Sequence, residues 1–221
     1  MSRSNTNNDT MPLNPHLGET ELRSPTKVRP GGAAAVLIHG RGQRPQFMVD
    51  IALRIGLPDL VYVAPCAAGD SWYPSRFTDP VEINQPDLDW ALERIQLAVN
   101  EFEVQGIARA RIALVGFSQG ACLASEFVYR NSGRWGALIA LTGGLIGPQG
   151  TSWGCDGNLA STPVFLGNGD MDPWVPLWRT RETAEVFRSM GGAVVERTYP
   201  GRGHEVCDDE VAVARDILAN V

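Results

Sequence analysis

Arg111-Ile112-Ala113-Leu114-Val115-Gly116-Phe117-Ser118-Gln119-Gly120-Ala121-Cys122-Leu123-Ala124 is the stretch whose reading decides the fold. An apolar, β-favouring run meets Gly116-Phe117-Ser118-Gln119-Gly120 and then a helix-favouring segment. A strand, a sharp turn and a helix therefore follow one another, with Ser118 at the apex, which is the pattern of a nucleophile elbow. The serine of such a turn sits in a strained backbone conformation, and side chains at Gly116 and Gly120 would collide with the neighbouring strand and helix. Taken alone, the five residues also fit a plain glycine-rich turn; the strand before and the helix after favour chemistry.

Working outward, residues 33–38 form a continuous apolar run, as in a strand buried on both faces, ended by His39-Gly40-Arg41-Gly42. Residues 45–57 have helical spacing and stop at Gly56 and Pro58, and residues 60–65 read as a second short strand. The segment 66–85, with Trp72, Tyr73 and Phe77 among Gly69, Pro74 and Pro80, has no sustained period and is an aromatic loop; loops this long are uncommon unless functional. A long helix follows, with Asp87 as its expected cap and apolar residues from Leu88 to Phe102 at three- and four-residue steps.

Beyond the elbow, residues 137–144 are a buried strand that opens into a Gly- and Pro-containing loop reaching Ser161. Residues 163–166 are another strand, ending at Gly169-Asp170-Met171-Asp172-Pro173. A helix over 177–190, a last strand over 193–199, the loop Gly201-Arg202-Gly203-His204 and a final helix complete the chain. Asp208, Asp209 and Glu210 crowd that helix's first turn, where the dipole favours negative charge. Such alternation predicts an α/β fold: a mostly parallel central sheet with helices on both faces.

The 221 residues suit one α/β domain, expected over residues 31–221. Residues 1–30 are rich in Ser, Asn, Thr and Pro and read as a flexible tail or arm, although Leu13, Leu17 and Leu22 could dock it on the body or on a second subunit. The formal net charge of −6 offers no basic stripe for nucleic acid or anionic membrane. Cys66, Cys122, Cys155 and Cys207 lack both zinc-site spacing and disulfide-scaffold density, so they read as reduced thiols. No stretch reaches the ~20 apolar residues of a membrane span and the polar start is no secretory signal, which points to a cytoplasmic protein, monomer or homodimer.

Ligands of open parallel sheets sit beyond the carboxyl ends of the strands. Ser118, Asp172 and His204 each follow a separate predicted strand, so the fold would bring them to one edge. A serine hydroxyl needs an imidazole to take its proton and a carboxylate to fix the tautomer. Of the three histidines, His16 lies in the polar tail and His39 directly follows a buried strand, where shaping the turn is its expected role. His204 remains as the base. For the acid, Asp170 and Asp172 compete, and spacing does not separate them.

Ile38-His39-Gly40-Arg41-Gly42, Gly116-Phe117-Ser118-Gln119-Gly120, Gly169 to Pro176 and Tyr199 to Glu205 together resemble the phospholipase/carboxylesterase family of α/β-hydrolases, which includes the acyl-protein thioesterases. The resemblance runs from about Ala33 to the C-terminus. It implies an α/β-hydrolase fold and a serine hydrolase; no segment is long enough for a separate cap domain, and no His/Asp/Cys cluster has metal-ligand spacing, so neither cap, metal nor cofactor is expected. It also implies Asp172, immediately before Pro-x-Val-Pro, as the acid, and an oxyanion hole from the backbone N–H groups of Arg41 and Gln119. Arg41 stands where acyl-protein thioesterases commonly carry leucine. With the loop from Cys66 to Pro74, it places the chain nearer small bacterial carboxylesterase-like members, including ones acting in aromatic-compound breakdown.

The expected reaction is cleavage of small to medium carboxylic esters or thioesters; alternatives are a lactone or ring-cleavage product, or a binding protein without turnover. Trp72, Tyr73, Phe77, Leu145, Ile146, Trp174 and Val175 are the expected pocket residues, with Trp72 and Trp174 on opposite sides of an acyl slot in an open groove. Cys122, on the helix behind Ser118, reads as a small buried apolar residue.

Overall fold

The computed structural model describes residues 13–221. Its strands are β1 (Glu21–Arg23), β2 (Ala34–Ile38), β3 (Val61–Pro65), β4 (Ile112–Phe117), β5 (Ala137–Leu141), β6 (Pro163–Gly169) and β7 (Ala193–Tyr199). The helices are α1 (Pro45–Ile55), α2 (Asp87–Val104), α3 (Gln119–Arg130), α4 (Leu177–Ser189) and α5 (Asp208–Leu218). One sheet has the order β1-β3-β2-β4-β5-β6-β7, parallel throughout except for β1, which pairs antiparallel with β3.

The strand periodicity of two divides the core between the faces. Ala34, Val36 and Ile38 of β2 join a cluster with residues of α2, α3 and α4, while Ala35 and Leu37 join one with residues of α1 and α5. Helices therefore cover both faces, as the continuous apolar runs require. The α2 stripe of Leu88, Ala91, Ile95, Ala98, Val99 and Phe102 is buried as its spacing predicts. Asp87 is the first helical residue and makes no capping bond; Pro86 occupies the cap position.

The chain passes from β2 out to β3 and returns to β4 on the other side of β2. This reversal opens a crevice at the carboxyl ends of β2 and β4, where Ile38 lies in register with Gly116. The turns that carry His39-Gly40-Arg41 and Ser118 are therefore neighbours.

Over its described part the N-terminal segment lies against the body, as an arm. Asn14 donates to the Trp90 carbonyl and to Glu93, both at 2.8 Å, and Glu21 pairs with Arg94. Polar residues, not the leucines, do the docking: His16 is buried, whereas Leu13, Leu17 and Leu22 are exposed. The segment's strand pairs at the sheet edge through backbone groups, which needs no apolar side chains. The rest of the expected tail, residues 1–12, lies outside the described residues.

Candidate active site

The elbow is built as its glycines demand. Ser118 has φ 55° and ψ −122°, a strained position for a residue with a side chain. A Cβ at Gly116 would lie 2.3 Å from the Gly120 carbonyl oxygen, and one at Gly120 would lie 2.1 Å from that of Ile38. Only glycine at both positions lets α3 begin directly against β2 and β4. The Ser118 N–H is anchored on the Leu141 carbonyl at 3.0 Å.

Asp172 follows β6 and His204 follows β7, and a Cβ at Gly169 would come within 2.2 Å of the Arg202 carbonyl oxygen. The two loops thus press together. His204 Nδ1 lies 2.7 Å from Asp172 Oδ2, and His204 Nε2 lies 2.8 Å from Ser118 Oγ. The other oxygen of Asp172 accepts the N–H groups of Trp174 at 2.7 Å and Val175 at 2.9 Å, and its side chain is sealed from solvent. Burial alone would raise the Asp172 pKa, but the bonds from His204, Val175 and Trp174 outweigh it and hold the carboxyl below the usual value. An ionised Asp172 accepts a hydrogen bond from Nδ1–H, which fixes that tautomer and leaves Nε2 as acceptor for the Ser118 hydroxyl. Asp170 has a different place: its Oδ1 accepts the Gly201 N–H at 2.7 Å and braces the His204 loop.

The remaining histidines are structural. His39 Nε2 accepts the Ala67 N–H at 3.0 Å, so Nδ1 carries the proton and donates to the Gly40 carbonyl at 2.8 Å. Burial pushes the pKa of both His39 and His16 down, favouring the neutral ring.

A Cβ at Gly40 would sit 3.1 Å from Ser118 Cβ, so the backbone leading to the Arg41 N–H lies against the serine. The Gln119 N–H is the first of α3 and has no carbonyl partner within the helix. These are the two groups expected to form the oxyanion hole. The side chains of both residues are engaged as well. The Arg41 guanidinium donates to the carbonyls of Tyr73, Pro74 and Ser75 at 2.5–2.9 Å. The Gln119 amide accepts from the Trp72 N–H at 3.0 Å and donates to the Tyr73 carbonyl at 2.8 Å. Together they hold the aromatic loop in place.

A cavity of about 640 Å³ opens over Ser118 and His204, lined among others by Arg41, Tyr73, Phe77, Trp174 and Val175. Three expected pocket residues are not among its lining. Trp72 is fully buried, its ring packed 5.0 Å from that of His39 and 5.4 Å from that of His16. Leu145 and Ile146 are buried too, because the Leu145 N–H and carbonyl are tied to Thr183 and Arg179 of α4 and turn that loop into the core. Cys122, read as core, lines the cavity floor; burial pushes its thiol up to about 12, which keeps it protonated.

The model of the phospholipase/carboxylesterase family matches residues 25–221. The chain belongs to that family. It is 38% identical to a phospholipase/carboxylesterase from Dyadobacter fermentans, with a TM-score of 0.85 over 91% of this chain and 96% of that one. It is 26% identical to acyl-protein thioesterase 1 of Debaryomyces hansenii over 90% of this chain and 96% of that protein. A carboxylesterase from Bacillus cereus, at 17% identity and a TM-score of 0.72 over 91% of this chain and 94% of that one, shares the fold.

As a phospholipase/carboxylesterase the chain is a hydrolase of the α/β-hydrolase fold. No helix among the described residues is long and apolar enough to cross a membrane. Sequence reading missed Ser75, Arg76 and Asp79, which also line the cavity, and Asn84, which holds this loop by accepting from the Ser75 N–H and donating to the Arg76 carbonyl. Nothing in the local pattern of residues 75–84 marks them.

Proposed function

We propose that the chain cleaves carboxylic esters or thioesters of small to medium acyl chains through an acyl-enzyme on Ser118. The observation that supports this reading is the unbroken pair of hydrogen bonds from Ser118 Oγ through His204 to Asp172. Ser118 Oγ attacks the carbonyl carbon while its proton passes to His204 Nε2, and Asp172 steadies the resulting imidazolium. The N–H groups of Arg41 and Gln119 receive the oxyanion, backbone donors that need no reorganisation as charge develops. His204 then protonates the departing alcohol or thiol. Water, activated by the same imidazole, attacks the acyl-enzyme, releasing the acid and restoring Ser118. The thioester half of the reading draws on the acyl-protein thioesterase relative, and the size of the acyl group on the cavity.

A fluorophosphonate probe tests the reading directly. Wild-type protein should label stoichiometrically and Ser118→Ala should not, with an unchanged circular dichroism spectrum and a closely similar melting transition. Equal labelling of the alanine variant would remove Ser118 from its role.

A further inference from the structure

We propose that the esters this cavity takes carry an anionic group, a carboxylate in the simplest case, held against Arg76 and Arg41; the proposal rests on the serine-hydrolase reading of the same site. Both arginines line the cavity that opens over Ser118. Some described arginines, exposed Arg181 for one, form no ion pair, and others sit beside carboxylates, as Arg44 does with Asp70 and Arg202 with Glu205. The two in the cavity do not. Arg41 spends its hydrogen bonds on three neutral carbonyls, which fix the guanidinium in place and leave its charge uncompensated. Arg76 is exposed, and among the described residues its guanidinium has neither an ion pair nor a hydrogen bond.

Asp79 is the acidic residue facing them from the same wall. Its Oδ2 accepts the Arg76 main-chain N–H at 3.0 Å, which turns the carboxylate to the backbone, and it forms no ion pair with either guanidinium. Asp172, the carboxylate under His204, is sealed from the cavity and committed to three hydrogen bonds. A protein of net charge −6 that places two arginines without ion pairs, against the one carboxylate of Asp79, around its candidate nucleophile gives that spot a charge balance opposite to its overall one. A purely apolar ester would make no use of them. An ester with a terminal carboxylate would exchange the water around Arg76 for a charge-assisted bond, bidentate if the fork faces it. The fixed Arg41 charge would add to the attraction at longer range.

The test is the ratio of kcat/KM for the para-nitrophenyl monoester of adipic acid to that for para-nitrophenyl heptanoate, chains of similar length with and without a terminal charge. An exposed ion pair at contact distance is worth about fivefold in this ratio. The ratio should fall by about that factor in Arg76→Gln and be largely kept in Arg76→Lys. It should also fall as salt is raised in the wild type, because ions screen the pair. Asp79→Asn should move it the other way. A ratio that is the same in wild type and Arg76→Gln, and indifferent to salt, overturns the proposal while heptanoate turnover leaves the esterase reading standing. Failure of both esters to turn over, with no phosphonate labelling, overturns the hydrolase reading and this proposal with it.

Discussion

Trp72 donates its indole N–H to the carbonyl of His39 at 2.8 Å, fastening the aromatic loop to the turn that leads into Arg41. The main-chain N–H of the same tryptophan is held by the Gln119 side chain at 3.0 Å. One buried residue thereby links the two backbone segments that carry the candidate oxyanion donors. His16, its ring 5.4 Å from that of Trp72, docks the N-terminal arm by accepting the Ala68 N–H at 3.0 Å.

Trp72→Phe keeps most of the packing and removes the indole donor, leaving the His39 carbonyl short of a buried partner. The expected cost is about 1–3 kcal/mol of stability, read from denaturant unfolding, with a lower kcat. Because Trp72 does not reach the cavity, the slope of kcat/KM against acyl length should run parallel to wild type. A flattened slope would return Trp72 to the substrate.

Of the two tryptophans expected to flank an acyl slot, Trp174 is exposed and lines the cavity, and Trp72 does not. Each methylene covered by the slot is worth about 0.8 kcal/mol, close to fourfold in kcat/KM. Trp174→Ala should flatten the rise over short to medium acyl esters and leave the melting temperature nearly unchanged. An unaltered chain-length profile would show that the acyl chain runs along the other wall.

The two aspartates near the end of β6 separate cleanly. Asp172→Asn leaves the geometry but supports the wrong imidazole tautomer, a change worth about 10⁴ in turnover in the serine-protease template. Asp170→Asn loses part of one exposed brace to Gly201 and should cost less than tenfold. Steady-state ester hydrolysis by the two variants decides it; the reverse order would exchange their roles.

Glu210 gives the fold a pH dependence of its own. Buried against Gly167, with Oε1 unpartnered and Oε2 accepting the Cys207 N–H, it has its pKa pushed up from 4.5 to about 7, burial being the main cause. Folding then favours the protonated form, so the contribution is intact below about pH 4.5 and is lost as pH rises through about 7. The shift corresponds to about 3 kcal/mol. Buried His16 and His39, held neutral, act in the opposite direction as pH falls. Comparing unfolding free energies of wild type and Glu210→Gln isolates the carboxyl: the variant should gain on wild type by up to about 3 kcal/mol between about pH 5 and 8. A constant difference across that window would show that Glu210 does not titrate there.

The parallel sheet, its helices and the elbow were legible in the order of residues, because period-two and period-3.6 patterns and a Gly-x-Ser-x-Gly turn are local constraints on the backbone. The edge-on placement of Ser118, Asp172 and His204 was legible as well, since strand direction sends all three loops to one side. Choosing Asp172 over Asp170 needed the family resemblance, and the structure gives the reason in space: the Asp172 oxygens meet His204, Trp174 and Val175, while Asp170 turns to Gly201. What an aromatic or polar side chain touches is set by contacts distant in sequence, and there the local patterns gave no guide. Trp72 is drawn inward by a carbonyl 33 positions away, His16 by an amide 52 away, and Arg41 leans on carbonyls more than 30 residues on. The sequence by itself therefore determined which elements form and which ends of strands carry the candidate site residues; only tertiary structure decided which side chains wall the cavity and which brace it, because burial and hydrogen-bond partners belong to the packed chain and not to any window along it.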